Sequence, residues 1–280
     1  MTAATALYAD TTECPAPRID DASAASLALR GVGRTFGTPE GSRRVLRDID
    51  LDVAAGEIVA ILGPSGCGKS TLLRLAGGLD TPTDGSIAIS GESVRSYDPR
   101  CAIGFQEPRL FPWRSIAHNV ELGVRRGTPA AQRRKDVAHL LELTGLTEAA
   151  GQRPHQVSGG MAQRASLARA LARNPAVLLL DEPFGALDAL TRLRMQDLLL
   201  DIHTAEPTTV LLVTHDVDEA LQLADRVVLL GADAGREGAV IQQIVTVPGE
   251  RPRDRGSAEL AELRANLLDG LGVDRHAHAR

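Results

Sequence analysis

The chain has 280 residues, a hydrophobic content of 43% and a formal net charge of −5. This length allows one or two folded domains with a sizeable core. The negative charge, with basic residues interspersed among acidic ones, disfavours a nucleic-acid partner. No apolar run approaches the roughly 20 residues that cross a bilayer, and the three cysteines lack the spacing of a metal site. We therefore expect a folded protein that stays in the cytoplasm.

The beginning of the chain divides into a tail and a first folded segment. Residues 1–26 are rich in Ala and Thr and predict a mobile tail. Residues 27–250 predict the main folded unit, which begins with a β-rich segment that contains Phe36. The apolar run from Ile58 to Leu62 then predicts a buried strand.

The segment after this strand reads Gly-Pro-Ser-Gly-Cys-Gly-Lys-Ser-Thr and matches the P-loop pattern. Its glycines let successive backbone N–H groups point at phosphates, beside the positive end of the following helix. We expect Lys69 to reach the β- and γ-phosphates and the Ser70 hydroxyl to ligate a magnesium ion. A glycine-rich turn that serves packing alone is the other interpretation of an isolated match. The predicted nucleotide contacts are Gly63, Pro64, Ser65, Gly66, Cys67, Gly68, Lys69, Ser70 and Thr71.

A helical insertion is predicted at about residues 107–172. It contains a helix opened by Thr128 and Pro129, and it also contains Val-Ser-Gly-Gly at 157–160, a second candidate phosphate-binding loop. Two phosphate-binding loops in one domain make an accidental P-loop match much less plausible.

A second buried strand is predicted at Val177 to Leu180, and Asp181, Glu182 and Pro183 follow it. Asp181 is expected to hold the magnesium shell. Glu182 is expected to orient and deprotonate the water that attacks the γ-phosphate. An ordinary loop start is the alternative interpretation of these three residues. Further strands are predicted at Val210 to Val213 and Val227 to Leu230, before a helical extension at residues 251–280.

Taken together, these motifs resemble the ATP-binding cassette ATPases of ABC transporters over about residues 27–250. The resemblance implies an α/β fold of the P-loop NTPase class, with a RecA-like core, an antiparallel β subdomain and an inserted helical subdomain. It also implies ATP and Mg²⁺ as ligands. The motifs, in chain order, are the P-loop, Phe105-Gln106, Val157 to Met161, Val177 to Glu182, Ala186 to Asp188 and Thr214 to Asp216.

The resemblance also implies roles for residues that carry no signal by themselves. Phe36 is similar to the aromatic residue on which adenine stacks, although a place in the core is its alternative. Gln106 would sense the γ-phosphate or magnesium, and His215 would contact the γ-phosphate and steady Glu182. The residues implied at the seam with a second copy, where they would complete its nucleotide site, are Ser158, Gly159, Gly160 and Asp188. Met161 departs from the family pattern, because many relatives have glutamine there.

Two segments resemble one branch of importers, those for nitrate, sulfonates and taurine. They are Gln106 to Trp113 and Arg251 to Arg255, and the likeness is greatest to aliphatic sulfonate importers. This implies a homodimer of cassettes on the cytoplasmic face of the cell membrane, bound to two permease subunits and served indirectly by an extracytoplasmic substrate-binding protein. Phe111 and Trp113 would line a groove for a membrane-subunit helix or fill the helical core. Nitrate, taurine or a pyrimidine precursor as cargo, and a soluble ABC ATPase without a transport role, stay as alternatives.

Overall fold

A computed structural model describes residues 24–38, 41–233 and 235–272 of the chain. The predicted tail therefore lies outside the described residues, apart from its last three positions. The described strands are β1 (Leu27–Thr38), β2 (Gly41–Val53), β3 (Ile58–Leu62), β4 (Asp84–Ile89), β5 (Glu92–Ser93), β6 (Cys101–Gly104), β7 (Val177–Asp181), β8 (Thr209–Val213), β9 (Arg226–Asp233) and β10 (Arg236–Thr246). The described helices are α1 (Lys69–Ala76), α2 (Ile116–Glu121), α3 (Ala130–Leu143), α4 (Gly159–Leu171), α5 (Ala189–Ala205), α6 (Val217–Leu223) and α7 (Ala258–Gly270).

The described strands form one sheet in the order β5-β4-β1-β2-β10-β9-β3-β8-β7-β6. Strands β9, β3, β8, β7 and β6 are parallel neighbours. Their sequences are almost continuous apolar runs because helices cover both faces of a parallel sheet. Their carboxyl ends therefore meet at one edge, where parallel sheets bind ligands.

Strand β3 shows how the sheet divides the interior into two hydrophobic cores. Ile58, Ala60 and Leu62 pack into one core. Val59 and Ile61 pack into the other. This alternation follows from the two-residue period of a strand, and all five residues of β3 are buried. The strand that leads into the P-loop is therefore fixed from both sides.

The antiparallel part of the sheet contains β1, which pairs with β2 and β4, and β10, which pairs with β9. The helical insertion lies between β6 and β7 and contains α2, α3 and α4. Val137, Leu140 and Leu141 of α3 are buried in its core. In the part of the chain that the structure describes, no helix combines the length and apolar character that crossing a membrane would need.

The segment after β10 returns to the cassette and packs against α6. Leu260 and Leu267 of α7 are buried in the same core as α2 to α4. Arg253 donates hydrogen bonds to the Leu221 and Gln222 carbonyls at the end of α6. A cation at the C-terminus of a helix is stabilising because it satisfies carbonyls that have no partner within the helix.

Candidate nucleotide-binding site

The P-loop joins the carboxyl end of β3 to the first turn of α1. Gly68 is the N-cap residue of α1 and has φ 105°, a conformation that side chains rarely adopt. A Cβ atom at this position would also lie 2.8 Å from Val45 and 2.9 Å from Leu46. Both the backbone turn and the close packing therefore require glycine here, and the amino end of α1 faces the loop.

Lys69 is folded back into the loop that precedes it. Its side chain is buried, and Nζ donates hydrogen bonds to the Gly63 carbonyl at 2.7 Å and the Pro64 carbonyl at 3.0 Å. An ammonium group has three donors, so one donor is left for a phosphate oxygen. The charge and the loop glycines therefore fit a bound nucleoside triphosphate.

Ser70 and Asp181 connect the P-loop to the end of β7. The Ser70 hydroxyl donates a hydrogen bond of 2.8 Å to Asp181 Oδ1. Among the described residues, no group of three or more His, Cys, Asp or Glu side chains is arranged to hold a metal. A magnesium ion at a nucleotide needs only one or two carboxylates among its few protein ligands, because phosphates and water supply the rest. The Ser70 and Asp181 oxygens fit that requirement.

Three predicted site residues converge just beyond β7. His215 Nδ1 lies 3.2 Å from Glu182 Oε2. A Cβ atom added to Gly185 would lie 3.1 Å from Gln106 Nε2 and 3.6 Å from Glu182 Oε2. His215 thus contacts the Glu182 carboxylate, and Gln106, 109 positions earlier in the chain, lies beside the same turn near Gly185.

The backbone at Glu182 is held in an uncommon conformation. Its φ is 47°, which costs a residue other than glycine of order 1–3 kcal/mol and occurs often at active sites. The Glu182 N–H donates to the Val213 carbonyl, and the Glu182 carbonyl accepts from Gly185. The turn therefore aims the carboxylate away from the strand and toward His215.

A group of charged side chains that the sequence did not predict follows His215 in the chain. Asp216 caps α6 by accepting from the Asp218 and Glu219 N–H groups. It also pairs with Arg192 of α5 at 3.0 Å. Burial, together with the nearby Asp216 charge, raises the pKa of Glu219 to about 8, although a Thr214 hydrogen bond opposes the shift. A local signal for this group was available, because Asp216 and Glu219 follow His215 within one helical turn.

The predicted seam residues form a separate group at two helix N-termini. Ser158 caps α4 by accepting from the Met161 N–H at 3.2 Å. Asp188 caps α5 by accepting from the Thr191 N–H at 3.0 Å. A Cβ atom added to Gly160 would lie 2.5 Å from the Thr191 side chain. The two caps are thus joined through Thr191, and Met161 is partly buried against the core.

Phe36 lies half-buried on β1, opposite Arg43 of β2. The Arg34 guanidinium lies 4.4 Å from the centroid of its ring, a cation–π distance. Arg34 is fixed in turn by an ion pair with Asp80 at 2.7 Å. Phe36 belongs to neither hydrophobic core of the described residues. The interpretation that it only fills the core is therefore not supported.

Phe111 and Trp113 lie at the surface of the helical insertion. Their side chains are 43% and 67% exposed, and their ring centroids are 5.2 Å apart. The buried Asn119 side chain holds the Phe111 N–H and carbonyl at 2.7 Å and 3.2 Å. Trp113 therefore does not fill the helical core, and the segment is fixed by hydrogen bonds to its backbone.

Comparison with curated proteins identifies close relatives. The chain is 52% identical over 231 residues to the "Aliphatic sulfonates import ATP-binding protein SsuB 2" of Burkholderia lata, and the match covers 82% of each chain. It is 44% identical over 254 residues to the "Nitrate import ATP-binding protein NrtD" of Synechococcus elongatus, with 88% of this chain and 91% of the relative covered.

Solved structures and family models agree with these relatives. The fold matches the ATP-binding cassette MJ0796, in a dimeric post-hydrolysis state bound to ADP and Pi, with a TM-score of 0.68 and 33% identity over 80% of this chain and 100% of that chain. The ABC transporter family model matches residues 46–185. The predicted family resemblance and the α/β P-loop cassette fold are confirmed. The chain belongs to the ABC transporter family, and within that family it is an ATP-binding cassette with ATPase activity.

Proposed function

We propose that this chain is the ATP-hydrolysing subunit of an importer of aliphatic sulfonates. The observation that carries the ATPase role is the convergence of Ser70, Asp181, Glu182 and His215 beside the P-loop, with separations of 2.8 Å and 3.2 Å within the two pairs. The sulfonate cargo is supported by the relative at 52% identity. Nitrate is the second candidate, because the nitrate relative covers more of the chain at 44% identity.

The P-loop and its neighbours would hold ATP. Lys69 would meet the β- and γ-phosphates with its remaining N–H donor, and the loop amides would surround the same phosphates. Ser70, Gln106 and Asp181 would hold Mg²⁺. When bound, the ion neutralises charge on the transferred phosphoryl group. The exposed side of the Phe36 ring would stack on adenine.

Glu182 would orient the attacking water and accept its proton. A general base has to lie within hydrogen-bond reach of the proton that it removes, and the turn at Glu182 points its carboxylate out of the sheet. His215 would steady that carboxylate through the 3.2 Å contact and would reach the γ-phosphate. Gln106, which lies near Gly185 as Glu182 does, would link this carboxylate with the helical insertion.

The second phosphate-binding loop would act in a dimer. Ser158, Gly159 and Gly160 lie at the N-terminus of α4, where backbone N–H groups favour an anion. We propose that they bind the γ-phosphate held by the P-loop of a second copy, with Asp188 at the seam between the copies. The dimeric state of the related cassette MJ0796 supports a pair of cassettes, which we propose to be packed head to tail.

The partners in the membrane would dock beside the segment that contains Trp113. A cavity of about 330 Å³ lies between the sheet core and the helical insertion; its lining includes Leu79, Tyr97, Phe105 and Arg169, but neither Phe111 nor Trp113. Arg169 connects it to the Trp113 segment through the Pro108 and Arg109 carbonyls. Such an apolar groove with a few polar groups suits an amphipathic helix. Two permease subunits would supply these helices at the cytoplasmic face of the membrane. An extracytoplasmic binding protein and the permease would select the cargo.

Growth of a strain deleted for this gene tests the proposal. Cells would be compared on an alkanesulfonate and on sulfate as the sole sulfur source, with add-back of the wild type or of Glu182→Gln. The expected result is loss of growth on the sulfonate alone, with rescue by the wild type and not by the variant.

Parallel cultures on nitrate as the sole nitrogen source separate the two candidate cargoes. A defect on nitrate with normal growth on the sulfonate would overturn the sulfonate assignment and favour nitrate. Purification of the native chain tests transport itself. Recovery free of any membrane subunit, from cells that express the whole operon, would favour a soluble ATPase.

A further inference from the structure

One buried amide in the helical insertion contacts two distant loops of the site. Gln163 lies in the second turn of α4 and is 5% exposed. Its Nε2 donates hydrogen bonds to the Phe105 carbonyl at 3.1 Å and to the Pro183 carbonyl at 2.7 Å. A primary amide has two N–H donors, so both donors are used by these loops.

The two acceptors are the backbone groups next to two predicted catalytic residues. Phe105 directly precedes Gln106, and Pro183 directly follows Glu182. Gln163 thus holds the peptide bond that joins Phe105 to Gln106, and it also holds the backbone that follows Glu182. A shift of α4 would therefore move both carbonyls together, because both accept from the one planar amide of Gln163.

Water cannot take over this role easily. The void beside Gln163 has a volume of only about 10 Å³, and its lining includes the apolar side chains of Leu167, Leu180 and Phe184. This volume is at the lower limit for a single water molecule, which also needs two to four polar partners. Removal of the amide would therefore leave two carbonyls without donors, in a place where such groups are costly.

The amino end of α4, close to Gln163, carries the second phosphate-binding loop. Ser158 caps this helix, and Gln163 follows it by five residues, or about one and a half helical turns. Contact of Ser158 with a nucleotide on another copy would fix the position of α4. Gln163 connects this same helix to the backbone beside Gln106 and Glu182. Arg169, farther along α4, adds hydrogen bonds to the Pro108 and Arg109 carbonyls.

We infer that Gln163 is a positioning residue that ties α4 to Gln106 and Glu182, so that the engagement of Ser158 by a second copy aligns both side chains together. This inference rests on the proposed roles of Ser158, Gln106 and Glu182. It assigns to Gln163 no contact with ATP or with the attacking water.

The test compares three full-length proteins. Gln163→Met keeps the length of the side chain and removes both donors. Ser166→Ala is the matched control, because Ser166 is buried on the same helix, lines the same void and makes no hydrogen bond to either carbonyl. The measurements are turnover at saturating ATP, the dissociation constant for ATP, and thermal unfolding.

A small misplacement of catalytic groups can cost roughly a hundredfold in rate. We expect Gln163→Met to lose about tenfold to a hundredfold in turnover while its ATP affinity stays within about threefold of the wild type. Ser166→Ala should retain wild-type turnover. Equal turnover in Gln163→Met and the wild type would overturn the inference, as would a loss that is fully explained by weaker ATP binding. A wild type without ATPase activity would instead overturn the proposed function.

Amide hydrogen exchange supplies a second readout that does not need Gln163→Met to fold. In the Glu182→Gln background, addition of ATP should slow exchange in residues 104–108 and 183–187 together. Adding Ser158→Arg should abolish both changes. Slower exchange in only one of these two segments would contradict the inference that Gln163 connects both of them to α4.

Discussion

The Glu182 side chain is fixed by its backbone as much as by its neighbours. The left-handed conformation at this residue turns the chain directly after the buried strand β7. The carboxylate then lies beside His215 and Gly185. Uncommon backbone conformations persist only where the surrounding structure holds them. Here two hydrogen bonds of the Glu182 backbone, to Val213 and from Gly185, provide that support.

Replacement of the Glu182 carboxylate should stop ATP hydrolysis without preventing ATP binding. Glu182→Gln keeps the size of the side chain and removes the proton acceptor, so we expect ATP binding to be kept and turnover to fall by roughly a hundred- to ten-thousand-fold. Measurement of phosphate release beside ATP binding checks this result. Glu148→Gln, an exposed carboxylate of the helical insertion, serves as the control and should hydrolyse ATP normally. Retained hydrolysis in Glu182→Gln would exclude Glu182 as the base.

Phe36 should affect the affinity for ATP and not the rate of ATP hydrolysis. One aromatic stacking partner is worth about 1–3 kcal/mol, so Phe36→Ala should raise the dissociation constant for ATP by about fivefold to a hundredfold. Turnover at saturating ATP should be unchanged. Titration with a fluorescent ATP analogue measures the affinity. An unchanged dissociation constant would mean that the ring serves only as the platform for Arg34.

Glu219 should make the stability of the fold depend on pH. Its pKa is raised from 4.5 to about 8 by burial, and its Oε1 lacks a hydrogen-bond partner. As the pH rises through this range, the unfolded chain loses the proton while the folded chain keeps it. The free energy of unfolding therefore falls between about pH 4.5 and pH 8.

Glu219→Gln removes this titration. The unfolding temperature of the variant, relative to that of the wild type, should therefore rise as the pH is increased from 5 to 8.5, a window set by the direction of the shift. Thermal unfolding at both pH values, followed by circular dichroism, measures the difference. A difference that is the same at both values would show that Glu219 is ionised in the folded protein.

At the scale of elements, sequence patterns predicted those parts of the fold whose conformation depends on residues that are close together in the chain. The P-loop follows β3 and opens α1 as expected, because its conformation depends on glycines within nine residues. Strand β6 was not predicted, because Cys101–Gly104 is too short for an apolar run. The contacts of Gln163 were also missed, because its acceptors lie 58 and 20 residues away. Only the packing of α4 against β6 and against the segments that follow β6 and β7 brings these groups together.

The segment around Trp113 should matter for assembly more than for chemistry. Its ring is mostly exposed, and its neighbours are held by Asn119 and Arg169. We expect Trp113→Ala to leave the ATPase activity of the isolated chain unchanged and to weaken its co-purification with the permease subunits. Ile244→Ala is the matched control, because Ile244 of β10 is 42% exposed. Normal assembly of Trp113→Ala would rule out this surface as the dock.

At the scale of the whole molecule, the proposed function requires that one chain present two incomplete halves of a nucleotide site. Glu182→Gln should form a dimer when ATP is added, because binding is kept while hydrolysis is blocked. Light scattering after size exclusion measures the mass. Glu182→Gln combined with Ser158→Arg should bind ATP and stay monomeric, because an arginine would crowd the loop that faces the other copy. A dimer of the double variant would contradict the head-to-tail arrangement.

The contact between Gly160 and Thr191 leaves no room for a methyl group. The loop at Ser158 and the turn at Asp188 are consequently one preassembled face, although 30 residues of chain separate them. When a partner binds this face, the loop at Ser158 and the turn at Asp188 need little further ordering. Little conformational entropy is therefore lost on association. Any side chain at Gly160 would have to displace the Thr191 side chain and would therefore disturb both parts of the face at once.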